Sequence, residues 1–206
     1  MERTSVPKAT LGRLPKYLSL LRELPPGSGR YISSTAIAKH LDLGEVQVRK
    51  DLSAVSGTGK PKLGYLVADL IGNIERLLGC NNVTSAVLVG AGRLGRALLE
   101  FEQLEEYGVE IAAAFDCNDK PIKLGNSKEI LPMSGFDDFC RKKNIQIGII
   151  TVGEGSAQEV CRRMTDCGIT AIWNFAPCKL EVPEGILLKN ENLALSLAYL
   201  RNQICN

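Results

Sequence analysis

Hydrophobic positions recur along the chain in two rhythms. Up to about residue 80 the rhythm is helical. Leu14, Leu18 and Leu21 share one face of a segment from about Lys8 to Leu24, which ends at the breaker PPGSG. A shorter helix follows as far as about His40, and Ser33 or Ser34 can cap it by accepting a free amide of its first turn. LDLG then turns the chain into a helix from about Glu45 to Val55, with Val48, Leu52 and Val55 facing inward. Leu66, Leu70, Ile74, Leu77 and Leu78 mark one more helix before GCNNV breaks the pattern.

From Ser85 the rhythm changes to strands alternating with helices. SAVLVG, VEIAAAFD, KEILPM, IQIGIITV and TAIWNFA are the expected strands. RLGRALLEFEQLEEY, GFDDFCRKKN and SAQEVCRRMTDCG are the expected helices. Nearly continuous apolar strands between amphipathic helices predict a parallel sheet covered on both faces, an α/β fold. A last segment, ENLALSLAYLRNQIC, places Leu193, Leu197, Leu200 and Ile204 on one helix face. That stripe must be buried, either on its own sheet or against a partner subunit. The expected organisation is a helical domain over residues 1–80, a sheet domain over 81–188 and a terminal helix over 189–206.

Composition narrows the class. The chain has 206 residues, 45% of them hydrophobic and 23% charged, as in ordinary globular proteins. No apolar run reaches the length of a membrane span, and Met1–Leu24 lacks a signal-peptide stretch, so a cytoplasmic location is expected. Seven scattered cysteines (80, 117, 140, 161, 167, 178 and 205), never spaced C-x-x-C, read as reduced buried thiols and not as a metal site. His40, the one histidine, reads as a polar helix-end residue.

Charge is uneven. Residues 1–65 hold 11 Lys or Arg against 5 Asp or Glu, or +6; the remaining 14 against 18 give −4, and the sum is the overall +2. A basic first domain suits a polyanionic partner. Its two short helices with a tight turn fit a helix-turn-helix, the second helix carrying Gln47, Arg49 and Lys50 away from its apolar side. Arg and Lys reach phosphates or guanine edges, and Gln can pair with adenine. SGTGKPKLGYLV reads as a wing whose basic tip, Lys60 and Lys62, can enter a minor groove. An ordinary surface helical pair with solvated lysines is the alternative; the wing and the local charge favour DNA.

In the second domain Gly90, Gly92 and Gly95 form G-x-G-x-x-G at the end of the first strand and the start of the next helix, the context that makes the motif informative. Gly90 permits the tight turn, Gly92 lets a pyrophosphate approach the backbone, and Gly95 lets helix and strand pack closely. Helix-start amides favour the phosphate charge, and Arg93 can add to it or simply face solvent. Asp116 ends the second strand 24 residues after Gly92, where an acid binds ribose hydroxyls and disfavours a 2′-phosphate; Lys120 and Lys123 weaken that preference. The motif thus points to a Rossmann-type domain binding NAD(H). This domain has no histidine and no Tyr-x-x-x-Lys pair to move a proton, so it looks built to bind a dinucleotide and not to turn it over. A small NAD-dependent oxidoreductase, or another adenine-nucleotide-binding protein, is the alternative.

The stretches VPKATLGRLPKYL, ISSTAIAKHL, VQVRKDLS, VLVGAGRLGRAL, AAFD, GITAIWNFAP and VPEGILLKNENLAL together resemble the Rex family of redox-sensing bacterial transcriptional repressors, over nearly the whole chain. The resemblance implies a homodimer whose winged helix-turn-helix domains sit on a palindromic operator, with Ser33 and Ser34 joining Gln47, Arg49, Lys50, Lys60 and Lys62 at the DNA. It implies NADH or NAD+ held by Gly90, Ala91, Gly92, Arg93, Leu94, Gly95 and Asp116, with Thr151, Val152, Asn174, Phe175, Ala176 and Pro177 at the later strand ends. It implies no catalytic residue and no metal, a C-terminal helix swapped across the dimer, and release of DNA by NADH.

The chain also departs from the family. Pro61 stands where the wing has a basic residue, Ala54 and Val55 replace an aromatic pair, and Gly153 stands where proline is common. Some members link cofactor to DNA through an arginine, a tyrosine and an aspartate; the matching positions are Ser19, Phe101 and Asn192. These cannot form that charged network, so a smaller NADH effect is expected.

Overall fold

A computed structural model describes residues 6–25, 29–117, 122–123 and 128–204. Residues 26–28 of the PPGSG breaker, Lys120 and Cys205 lie outside the described residues, as does the Lys123 side chain. The chain divides into two compact units between Asn82 and Val83.

The first unit begins with two helices where one was expected, α1 (Lys8–Leu11) and α2 (Leu14–Arg22). Pro15 explains the break: it lacks an amide hydrogen and its ring would strike the carbonyl four residues back, so it is tolerated only in a first turn, which is where it stands in α2. Strand β1 (Tyr31–Ile32) leads to α3 (Ser34–Leu41). Ser33 is the cap, its Oγ accepting the Ala36 amide at 3.1 Å. Asp42, in the left-handed region at φ 51°, ends α3 and turns the chain into α4 (Glu45–Ser56). Strand β2 (Tyr65–Leu66) pairs antiparallel with β1, and α5 (Val67–Leu78) closes the unit. Leu14, Leu18, Leu21, Ile37, Val48, Leu52, Leu70 and Ile74 make its core. At roughly 1.5–3 kcal/mol for each buried aliphatic side chain, this stripe outweighs any single polar contact in the unit.

The second unit is a seven-stranded sheet in the order β5-β6-β4-β3-β7-β8-β9. The strands are β3 (Thr84–Val89), β4 (Val109–Asp116), β5 (Ile122–Lys123), β6 (Glu129–Pro132), β7 (Ile147–Ile150), β8 (Ala171–Asn174) and β9 (Leu187–Asn190). All neighbours are parallel except β5, an antiparallel edge. The edge strands β5 and β9 are the two that apolar patterning did not predict. The expected helix over residues 93–107 is interrupted, giving α6 (Arg93–Leu99) and α7 (Gln103–Glu106), an interruption that nothing in the local sequence explains.

Helices α8 (Phe136–Lys143) and α9 (Glu154–Asp166) cover one face of the sheet, packing Phe136, Cys140, Cys161 and Met164 on Val87, Val89 and Phe115. On the other face α6 packs Leu99 against Ala86, Leu88 and Ala114. Beyond it that face opens into an apolar groove of about 500 Å³, lined by Leu104, Val109, Ile147, Ile149, Trp173 and Leu188 among others. The last helix, α10 (Leu193–Ile204), buries none of its residues; Leu193, Leu197, Leu200 and Ile204 are all exposed. Packing on its own sheet is therefore not where its apolar stripe goes. Cys140 and Cys161 are buried as expected, whereas Cys117 is exposed at the end of β4. Burial pushes the Cys140 thiol up to about 12, out of the reactive range. No described helix is long and apolar enough to cross a membrane, and the described residues hold no cluster of metal-binding side chains.

Candidate nucleotide turn and nucleic-acid interface

The carboxyl ends of β3, β4, β7 and β8 meet along one edge of the second unit. Chain order reverses between β3 and β7, which lie side by side, so the crevice beyond them is the place where open α/β sheets take ligands. Gly90 begins the turn with φ +106°, and a Cβ there would lie 2.7 Å from the Thr151 carbonyl carbon. A Cβ at Gly95, inside α6, would collide with the Gly90 carbonyl oxygen. Gly92, the residue before α6, has open space where its Cβ would be, so its backbone is approachable.

The turn is fastened on three sides. The Gly90 amide donates to Phe115 O at 2.8 Å, the Thr151 hydroxyl donates to Gly90 O at 2.6 Å, and Arg96 Nε donates to Ala91 O at 2.9 Å. Asp116 Oδ2 accepts the Ala91 amide at 2.6 Å, and its Oδ1 accepts the Cys117 amide at 2.7 Å. A carboxylate is thereby fixed beside the glycine turn at a strand end. Arg93 and Leu94 are exposed on the first turn of α6. Such a cradle can take a pyrophosphate on the amides and a ribose on the acid.

The later strand ends differ among themselves. Val152 packs at the edge of the core, and Pro177 is exposed. Phe175 tilts against Trp173 with ring centroids 4.6 Å apart, and Ala176 is buried. Asn174 is fully buried. Its side-chain amide donates to Ala176 O, Cys178 O and Asn190 Oδ1, and its Oδ1 accepts the Ala176 amide. With its side chain so committed, Asn174 shapes the loop and presents no free group to a ligand.

In the first unit α4 exposes Arg49 and Lys50, and Val46 is 57% exposed in its first turn. The wing is a tight loop in which Lys60 and Gly64 exchange backbone hydrogen bonds of 2.8 and 2.9 Å. Lys62 is exposed at its tip, and Lys60 Nζ donates to the Tyr31 hydroxyl at 3.2 Å. Ser33 is exposed at the start of α3, and Ser34 is half-buried. His40 is exposed near the end of α3, with Nδ1 2.8 Å from Ala36 O.

Sequence alone gave no sign of Asp51. It is 1% exposed, yet five hydrogen bonds converge on it. Arg13 donates through Nε at 2.6 Å and Nη2 at 2.8 Å, the Tyr17 hydroxyl at 2.6 Å, Thr10 Oγ1 at 2.9 Å and Gln47 Nε2 at 3.0 Å. Burial alone would raise the Asp51 pKa; the bonds from Arg13, Tyr17, Thr10 and Gln47 outweigh it and hold the carboxyl down at about 2. The same burial, together with Asp51, pushes the Tyr17 phenol up to about 12. This cluster sets α4 against α1 and α2. It also engages Gln47, an exposed residue of α4, through one hydrogen of its amide.

Residues 5–53 match the family model described as putative DNA-binding protein N-terminus, and residues 81–178 match the CoA binding domain model. The redox-sensing transcriptional repressor Rex of Bacteroides thetaiotaomicron is 40% identical over 98% of this chain and 92% of its own length. Rex of Clostridioides difficile is 37% identical over 94% and 92%. Among solved structures, the repressor RSP in complex with β-NAD+ and operator DNA superposes with a TM-score of 0.88 at 32% identity, over 98% of this chain and 94% of that one. RSP in complex with β-NADH gives 0.86 at 31%, over 97% and 94%. The chain belongs to the Rex family of redox-sensing transcriptional repressors.

Proposed function

We propose that this protein binds a palindromic operator as a homodimer in the cytoplasm and binds NAD(H) at the Gly90–Gly95 turn, NADH weakening its hold on DNA. The observation that carries this reading is the pairing of two sites on one chain: a basic recognition helix, and a glycine turn at a sheet switch point whose domain has neither a histidine nor a Tyr-x-x-x-Lys pair. Arg49, Lys50, Lys60 and Lys62 supply cations for phosphates, and Ser33 and Ser34 stand at the start of the preceding helix. Asp116 suits the hydroxyls of an unphosphorylated adenosine ribose, which favours NAD(H) over its 2′-phosphate counterpart. Gly92, Arg93 and Leu94 front the turn, whereas Thr151, Val152, Asn174, Phe175, Ala176 and Pro177 form the wall of strand ends beyond it.

Dimerisation follows from two unmatched surfaces, the apolar groove and the stripe of α10. Exchange of α10 between subunits fills one with the other. The NADH response is smaller than in members with a charged coupling network. Ser19 Oγ bonds Glu23 on its own helix, Phe101 is exposed, and Asn192 Oδ1 accepts the Leu195 amide and so caps α10.

The test is an operator titration with NADH, with NAD+ and without cofactor, at one salt concentration, because counterion release makes affinities at different salts incomparable. Operator binding weakened several-fold by NADH is expected. Arg49→Ala with Lys50→Ala is expected to abolish it and leave NADH affinity intact. Unchanged operator affinity in that double variant removes the recognition-helix assignment, and complete release at low NADH removes the weakened response.

A further inference from the structure

We infer that Val46 reads a thymine methyl in each operator half-site, and that Gln47 is a positioning residue which reads no base. The inference rests on the operator-binding reading above and sharpens it to single residues.

Successive residues of an α-helix are rotated by about 100°. On α4 the buried residues Val48, Asp51 and Leu52 define the inward direction. The opposite line runs through Val46, Lys50 and Ser53, with Arg49 on one flank and Gln47 on the other, and all five are exposed. Gln47 lies about a quarter turn away from that line, on the flank that carries Asp51. There one of its amide hydrogens is given to Asp51 Oδ1 at 3.0 Å. Bidentate pairing with adenine requires the amide oxygen and nitrogen to project together, and although Gln47 is exposed, this bond ties its nitrogen to Asp51.

Val46 is 57% exposed in the first turn of α4, the end of a recognition helix that contacts base edges. A lone exposed valine means nothing on most surfaces. Here it occupies the middle of the outward face, between the cations that fix the helix on phosphates. Its side chain offers no donor or acceptor, so the base feature it can recognise is the thymine C5-methyl, which no other base carries. Branching at Cβ holds the side chain in one rotamer on a helix, so little freedom is lost on contact.

The experiment uses the full chain. Operator sequences are selected from a randomised duplex pool with the wild type, Val46→Ala and Gln47→Ala, and each dT of the selected half-site is then replaced singly by dU, which removes only the methyl. One position is expected to weaken wild-type binding about 3- to 5-fold on dU replacement, as burial of one methyl group implies. Val46→Ala should be indifferent to dU at that position, and Gln47→Ala should keep the wild-type base preferences while binding every sequence more weakly. Circular dichroism and NADH affinity check that both variants are folded. The inference is overturned if wild type is indifferent to dU at every position, if Val46→Ala keeps the dU sensitivity, or if Gln47→Ala loses a preference for adenine. A wild type that selects no sequence at all removes the operator-binding reading itself, a result distinct from these three.

Discussion

In the first unit the most buried charge, Asp51, is surrounded by five hydrogen bonds from four side chains, and the helices around it bury their own apolar stripes. In the second unit one sheet face keeps an apolar groove open while a whole helix holds its leucines in solvent. The first unit buries its apolar stripes within one chain, whereas the second leaves a groove and a stripe that the proposed dimer would join. Stability of the DNA-binding unit should therefore be independent of protein concentration, and stability of the nucleotide unit should depend on it.

Three perturbations separate these behaviours. The largest effect is expected from Arg13→Leu, which strips Asp51 of its cation while leaving it 1% exposed. Breaking a buried pair on one side costs about 3–5 kcal/mol. Thermal unfolding should show the first unit melting early and NADH affinity at the second unchanged. An unshifted first transition would show that Tyr17, Thr10 and Gln47 suffice to hold the carboxylate.

Next in size is Leu197→Asp, in the middle of the α10 stripe. Sedimentation should show the dimer dissociating at micromolar concentration, and the second unit should lose the concentration dependence of its melting. A dimer that persists would place the interface elsewhere.

The smallest effect is acid sensitivity. The folded pKa of Asp51, about 2, lies below the unfolded carboxyl value of about 3.9. The stability it contributes is therefore full above about pH 4 and is lost as pH falls toward 2. Circular dichroism of the first unit between pH 5 and 2 should show a loss beginning near pH 4, and Arg13→Leu, which narrows the gap between the folded and unfolded pKa values of Asp51, should shrink that loss.

Much of the fold was legible because burial writes itself into spacing. The Leu14–Leu21 stripe, the strand cores and G-x-G-x-x-G all lie where local periodicity and glycine chemistry place them. What was illegible depends on distant partners. Asp51 sits in QVRKDLS among charged neighbours and reads as surface, because Thr10, Arg13 and Tyr17, which bury it, are 41, 38 and 34 residues away. The bond from Gln47 to Asp51 was equally illegible, because residue type reveals nothing of where an amide donates. Pro15 was a local signal for the break between α1 and α2, since proline belongs in a first helical turn. Strand β9 carries Lys189 and Asn190 at a sheet edge, so its composition matches a loop as well as a strand.

The Asp51 cluster has a consequence for how such a chain can change over generations. Its donors come from three helices, and loss of any one leaves a buried carboxylate short of a bond. Replacements at Thr10, Arg13, Tyr17 and Gln47 are energetically coupled and will not add independently. Change at any of these positions is therefore constrained by the others, whereas the Val46 side chain, which donates nothing to Asp51, can be exchanged without disturbing that carboxylate.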